Sequence, residues 1–286
     1  GRGPRMSSSK SHSRRPWWST LGIYAGLSLA AFIMVIPLLF SFVTAFKSPQ
    51  DFASHSPFAL PSPPSLASFQ AILTGRVNFG DAIITTLLVV VVMVVGQLVS
   101  SVLAAYAFAR IEFPGREVIF WLFLGTMMIP ASVLVIPLYL MMAKMGLNNT
   151  FWGIVLPFVF ASPYAVFLLR QSFRQIPQEI IDAATMDGAG QMRILFSIVV
   201  PVSKPIISTL VLITVVSQWN SFMWPRIIAA TRPRVLTVAT AALQSQYNAN
   251  WTYVMAATTI ALVPLIALFI VFQRHIVESI ALTGIK

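Results

Sequence analysis

The sequence predicts an all-α integral membrane protein with six transmembrane helices. Three observations carry that prediction. Of 286 residues, 57% are hydrophobic and 9% are charged, against about 25% charged in soluble domains. Apolar runs close to the ~20 residues that a bilayer core needs recur along the chain, separated by short segments rich in proline, glycine and basic residues. None of the eight acidic residues falls in the middle of such a run.

The elements follow in order. Residues 1–18 form a polar, basic tail ending at Trp17 and Trp18, and the residues ahead of Met6 carry no fold weight. Residues 19–46 form the first transmembrane helix, too long for a signal h-region and followed by no small-residue cleavage site. Residues 47–80 form an extracytoplasmic loop with Pro49, Pro57, Pro61, Pro63 and Pro64, and with a short helix near Leu66 to Leu73. Residues 81–273 hold five further spans: 82–109, 118–143, 151–169, 206–228 and 251–272. Pro130, Pro137, Pro157 and Pro163 fall inside two of them and predict kinks that neighbouring helices can accommodate. Residues 274–286 form a second polar tail.

Charge predicts orientation. With both termini inside the cell, 13 Lys and Arg fall in cytosolic segments and six fall outside: Lys47, Arg76, Lys144, Arg226, Arg232 and Arg234. That bias predicts a multi-pass protein of the cell membrane with its N- and C-termini inside. The formal charge of +11 is spread over the ends of the spans. It forms no single stripe, so no nucleic-acid partner is expected. The chain has no cysteine, which excludes disulfides, thiolate metal sites and cysteine nucleophiles. His12, His55 and His275 lack metal-ligand spacing, and no metal is expected.

Segment 171–205 is the largest polar interruption in the second half of the chain. Pro177 suits the first turn of a helix, and Glu179 then sits favourably against the helix dipole. Ile180, Ala183, Ala184 and Met186 give one apolar, mostly small face, with Asp182 and Asp187 between them. Gly188 can take the left-handed conformation that closes a helix. A second helix fits from about Gln191 to Val200, with Ile194, Leu195, Ile198 and Val199 on one side, and Pro201 stops or kinks it. Spacing alone fits a partner-binding helical hairpin and an amphipathic loop on lipid headgroups equally well.

The run Asp182-Ala183-Ala184, three residues, Gly188, nine residues, Ile198, one residue, Val200-Pro201 resembles the EAA loop of binding-protein-dependent ABC importer permeases. Asp182 stands for the family's Glu and Val200 for its Leu. The resemblance covers about Leu21 to Lys286 and is nearest the MalG-like half of carbohydrate-uptake permeases, including sugar and glycerol-phosphate types. It implies a type I importer permease fold in which this loop is a cytosolic coupling helix. It also implies a homologous MalF-like permease, an ATPase dimer that binds ATP and Mg, and an extracytoplasmic substrate-binding protein. Thr283, Gly284 and Lys286 resemble the family tail that reaches the ATPase interface, and a frayed cytosolic tail is the alternative.

The sequence holds no Gly-x-x-x-x-Gly-Lys-Ser/Thr phosphate cradle, so the chain is not expected to be an enzyme by itself. Gln218 to Pro225 puts amides, a hydroxyl and two indoles at membrane depth, and is similar to a segment of sugar permeases. Trp219, Asn220 and Ser221 are candidates for the substrate path, as is Gln97, which shares a helix face with Ser101. The same residues also suit polar helix–helix packing. A carrier or channel that works without ATP is the alternative function, and a structural membrane scaffold is a weaker one.

Overall fold

The computed structural model describes residues 17–75, 78–246 and 250–284, and all regular structure among them is helical. Three helices are long and apolar enough to cross a bilayer unaided. The first lies within α1 (Trp17–Ala45), the second is α4 (Phe79–Arg110), and the third lies within α15 (Trp251–Gly284). Between α1 and α4, two short helices, α2 (Pro49–Ser54) and α3 (Ala67–Thr74), organise the expected outer loop. Lys47 is fully buried there, and its Nζ donates to the carbonyls of Ser56 and Pro57 at 3.1 Å each.

Two further crossings are bent pairs. In the first, α5 (Arg116–Gly125) and a 3-10 turn (Thr126–Met128) meet α6 (Ala131–Lys144) at 99°. Pro130 precedes α6 directly; the residue ahead of a proline is pushed out of helical geometry, which breaks the span here. In the second, Gln191–Val202 meets α12 (Lys204–Trp219) at 81°. The run 151–169, expected as one span, is split. α7 (Phe151–Val155) stops before Pro157, and α8 (Pro163–Arg174) restarts with Pro163 in its first turn. The number of straight membrane-crossing helices is therefore smaller than the six apolar runs suggest.

The run 206–228, expected as one span, is also split: α12 stops at Trp219 and α13 (Met223–Ile228) follows after Asn220 to Phe222, while α14 (Leu236–Gln246) was not expected from the pattern. α15 also continues past residue 272, so Thr283 and Gly284 belong to its last turn, whereas Lys286 lies outside the described residues.

Three buried clusters hold the helices together. The first joins α4, α5 and α8 to segment 176–199 and α12 through Val102, Ala105, Phe120, Leu169, Phe173, Leu195 and Leu210. The second joins the end of α1 to α3, α4, α14 and α15 around Ala45, Ile72, Phe79, Leu243 and Ala256. The third packs α4, α6, α7 and α13 around Met93, Met142, Val155 and Trp224. α1 rests on α15, the first helix of the chain against the last, yet no residue from Leu21 to Leu39 is buried.

Candidate functional site

The polar segment folds as a hairpin. α9 (Gln178–Met186) starts directly after Pro177, with Glu179 in its first turn. Gln178 Nε2 donates to Asp182 Oδ1 at 2.9 Å, one turn further on. The helix closes with the paired bonds of a Schellman motif: Ala189 N–H donates to Ala184 O, and Gly188 N–H to Thr185 O, both at 3.0 Å. Gly188 has φ +80°, the left-handed turn its position called for.

The second arm comprises α10 (Gln191–Ile194), a π-helical turn (Leu195–Val199) and α11 (Val200–Val202). Ile194, Leu195 and Val199 are fully buried, and Ile198 is partly buried. Pro201 does not end this arm. It lies inside α11, and the chain turns at the buried Ser203 two residues later.

The anchor of the first arm differs from the apolar face read in the sequence. Ile181 is the buried residue, with Ala184 beside it. Ile180, Ala183 and Met186 point away from the core, and Met186 is 88% exposed. The core needs only one large side chain from this short helix. The larger apolar set is therefore left on the surface, interleaved with the exposed carboxylates of Glu179, Asp182 and Asp187. Met192 and Phe196 of the second arm are also exposed. A methyl group added to Gly188 or Gly190 would meet nothing within 4 Å.

The base beneath this surface is polar, and its partners lie far apart in sequence. Arg110, at the end of α4, donates to Gln178 Oε1 and to the carbonyl of Phe173, both at 2.6 Å, and to the carbonyl of Ile176. Tyr106 donates to Gln191 Oε1 at 2.6 Å. Glu117 gathers Arg170, Arg174 at 3.0 Å and Arg116 at 3.5 Å. Arg170 is almost completely buried; it stacks 3.8 Å over Phe120 and donates to the carbonyl of Phe108. Neither Tyr106, Arg110, Glu117 nor Arg170 stood out in the sequence. A lone charge at a span end reads as a topology signal, and only the fold shows that these are paired.

Residues 96–281 match the family described as binding-protein-dependent transport system inner membrane component. The chain belongs to that family. Its relatives include the arabinooligosaccharides transport system permease protein AraQ of Halalkalibacterium halodurans, 31% identical across 91% of this chain and 94% of AraQ. The diacetylchitobiose uptake system permease protein NgcG of Streptomyces coelicolor is 31% identical, across 90% of this chain and 86% of NgcG. The sn-glycerol-3-phosphate transport system permease protein UgpE of Yersinia pestis is 30% identical, across 89% and 93%. A chain of a bacterial ABC transporter involved in import of the acidic polysaccharide alginate shares the fold, with a TM-score of 0.79 over 93% of this chain and 99% of that one at 24% identity.

The permease separates the residues proposed for its substrate path. Gln97 Nε2 donates to the carbonyl of Phe158 at 2.6 Å. Trp219 is buried and donates to the carbonyl of Ala261 at 3.2 Å. Trp219 and Asn220 line a cavity of about 420 Å³ with Phe222, Thr237, Thr240 and Thr258. Ser221 stands beside it, its carbonyl accepting from the Thr237 hydroxyl at 2.5 Å. At the Asp81 end of α4, Arg232 and Arg234 line a second cavity of about 460 Å³ with Asn78, Asp81 and Asn149.

Proposed function

We propose that this permease forms half of the translocation path of an ATP-driven importer of carbohydrates or related polar solutes. On this reading the hairpin 178–202 docks onto the cytosolic ATPase. ATP and Mg are bound there, a homologous permease completes the path, and an extracytoplasmic binding protein delivers the substrate. Relatives named for arabinooligosaccharides, diacetylchitobiose and sn-glycerol-3-phosphate support a saccharide or polyol-derived substrate. The cavity beside Trp219 and Asn220 suits such a ligand, because an indole face and amide or hydroxyl groups complement the two surfaces of a sugar.

The observation that carries the coupling role is the exposed face of α9. Glu179, Ile180, Asp182, Ala183, Met186, Asp187 and Gly188 are all exposed on a hairpin whose base is fixed by buried Ile181, Ile194 and Leu195. Small residues there let a partner backbone approach closely, and the carboxylates suit a basic groove. The part of α15 that contains Thr283 and Gly284 supplies a second contact to the ATPase.

Gly188→Trp tests the reading. A Cβ there meets nothing within 4 Å, and the left-handed backbone at φ +80° costs about 1–2 kcal/mol for any other residue, so membrane insertion should persist, while ATP-coupled uptake falls to background in vesicles holding the assembled transporter. Uptake at the wild-type level would defeat the coupling role. Orientation is tested in the naturally cysteine-free chain. Met186→Cys should resist a membrane-impermeant maleimide added to intact cells and react after lysis, whereas Phe58→Cys should react in both. Calorimetry of the cognate binding protein against an arabinooligosaccharide, diacetylchitobiose and sn-glycerol-3-phosphate then sorts the substrate.

A further inference from the structure

Both arms of the hairpin are tied to one face of one helix. Tyr106 and Arg110 are four residues apart on α4 and so stand one above the other. Tyr106, 3% exposed, donates to Gln191, the first residue of α10. Arg110 donates to Gln178, the first residue of α9. The same guanidinium caps the carbonyls of Phe173 and Ile176 at the end of α8, where a cation is also favoured by the helix dipole. The first arm is therefore held at its root and the second just past the turn, one residue beyond Gly190, so that two points of the hairpin are fixed to α4. Apolar contacts alone would let the arms slide over α4. Directional hydrogen bonds of 2.6 Å fix their register.

We propose that Tyr106 and Arg110 are positioning residues that lock the hairpin to α4, so that a push on the hairpin reaches α4 as a rigid displacement. This rests on the coupling role proposed above. α4 is also fastened further along: Gln97 donates to the carbonyl of Phe158, and the Ser101 hydroxyl accepts from Ser162 N–H at 3.1 Å. Its 32 residues extend about 48 Å at 1.5 Å per residue. Its far end carries Asp81 into the cavity with Arg232 and Arg234. One helix thus links the proposed ATPase contact to the opposite mouth of the permease.

The test uses the transporter assembled with its ATPase. Spin labels go on Val99→Cys in α4 and Ser197→Cys in the second arm, both exposed and outside the clamp. Their separation is measured by pulsed electron resonance with and without ATP plus vanadate. With Tyr106 and Arg110 intact the separation stays constant. In Tyr106→Phe/Arg110→Gln, nucleotide shifts it by about 2 Å or more, the scale of helix shifts in switching proteins, while copurification with the ATPase persists. Gln191→Glu, which keeps an acceptor for the Tyr106 hydroxyl, behaves as wild type. A nucleotide-dependent separation in the intact chain overturns the proposal, as does an unchanged one in the double variant, or loss of copurification in that variant. Normal uptake by Gly188→Trp overturns the coupling reading and this proposal with it. An inactive Gly188→Trp beside a rigid double variant overturns this proposal alone.

Discussion

Gly96 and Gly153 sit in the packed seam around α7, Gly96 of α4 against Val159 and Gly153 of α7 against Leu147 and Ile228 of α13, whereas Gly188 and Gly190 sit at the tip of the hairpin. In the seam, a methyl group on Gly153 would lie 2.2 Å from the backbone oxygen of Leu147, and one on Gly96 would lie 2.6 Å from that of Val159. Backbone cannot step aside as a flexible side chain can. At the tip the same methyl meets open space at both positions, and only Gly188 has a backbone angle that favours glycine. The seam explains its small residues from within the chain, as membrane helices that approach closely do. The tip does not: among the described residues, none lies within 4 Å of a methyl group placed on Gly190. That open space leaves room for the docking role proposed for the hairpin.

This contrast can be broken by substitution, beginning where the effect is greatest. Gly153→Ala should destabilise the permease by about 3 kcal/mol, the upper end for overpacking a dense core, seen as a lower melting temperature in detergent. Gly96→Ala should cost about 2 kcal/mol by the same mechanism, because the Val159 side chain can yield but its carbonyl cannot. Gly188→Ala should cost about 1 kcal/mol, the penalty for a left-handed residue with a Cβ, with insertion retained. Gly190→Ala should leave stability within about 0.5 kcal/mol. Any loss of uptake in that last variant then reports on a neighbour. A Gly153→Ala protein as stable as wild type would show that the seam is looser than its distances indicate.

Much of this was legible in the sequence, for reasons specific to each stretch. α1, α4 and α15 are long apolar runs, and such runs have few alternatives. The hairpin was readable because Pro177 and Gly188 punctuate it, and proline and glycine act locally. What escaped notice depends on distant partners. The split of 151–169 carried a warning in Pro157 and Pro163, yet prolines inside membrane helices are common enough that a kink was expected in place of a break. The 11 residues of α14 carry too little apolar length to count as a span. The choice of Ile181 over Ile180 as anchor is a matter of one residue's rotation, which α4 and α8 decide. Glu117 and Arg170 are 53 residues apart, and no local pattern pairs them. For Gln97 and the Trp219 segment, both packing and path lining were open; Gln97 bonds to the carbonyl of Phe158, while Asn220 faces a cavity.

The meeting of α1 with α15 has a consequence for biosynthesis. α1 ends at residue 45, and α15, the helix it rests on, begins only at residue 251. Until α15 is made, α1 must therefore stand in lipid without that partner, and the unburied stretch from Leu21 to Leu39 suits that delay. Chains truncated before residue 251 should still insert their leading helix, but leave it without the seat that completes the bundle.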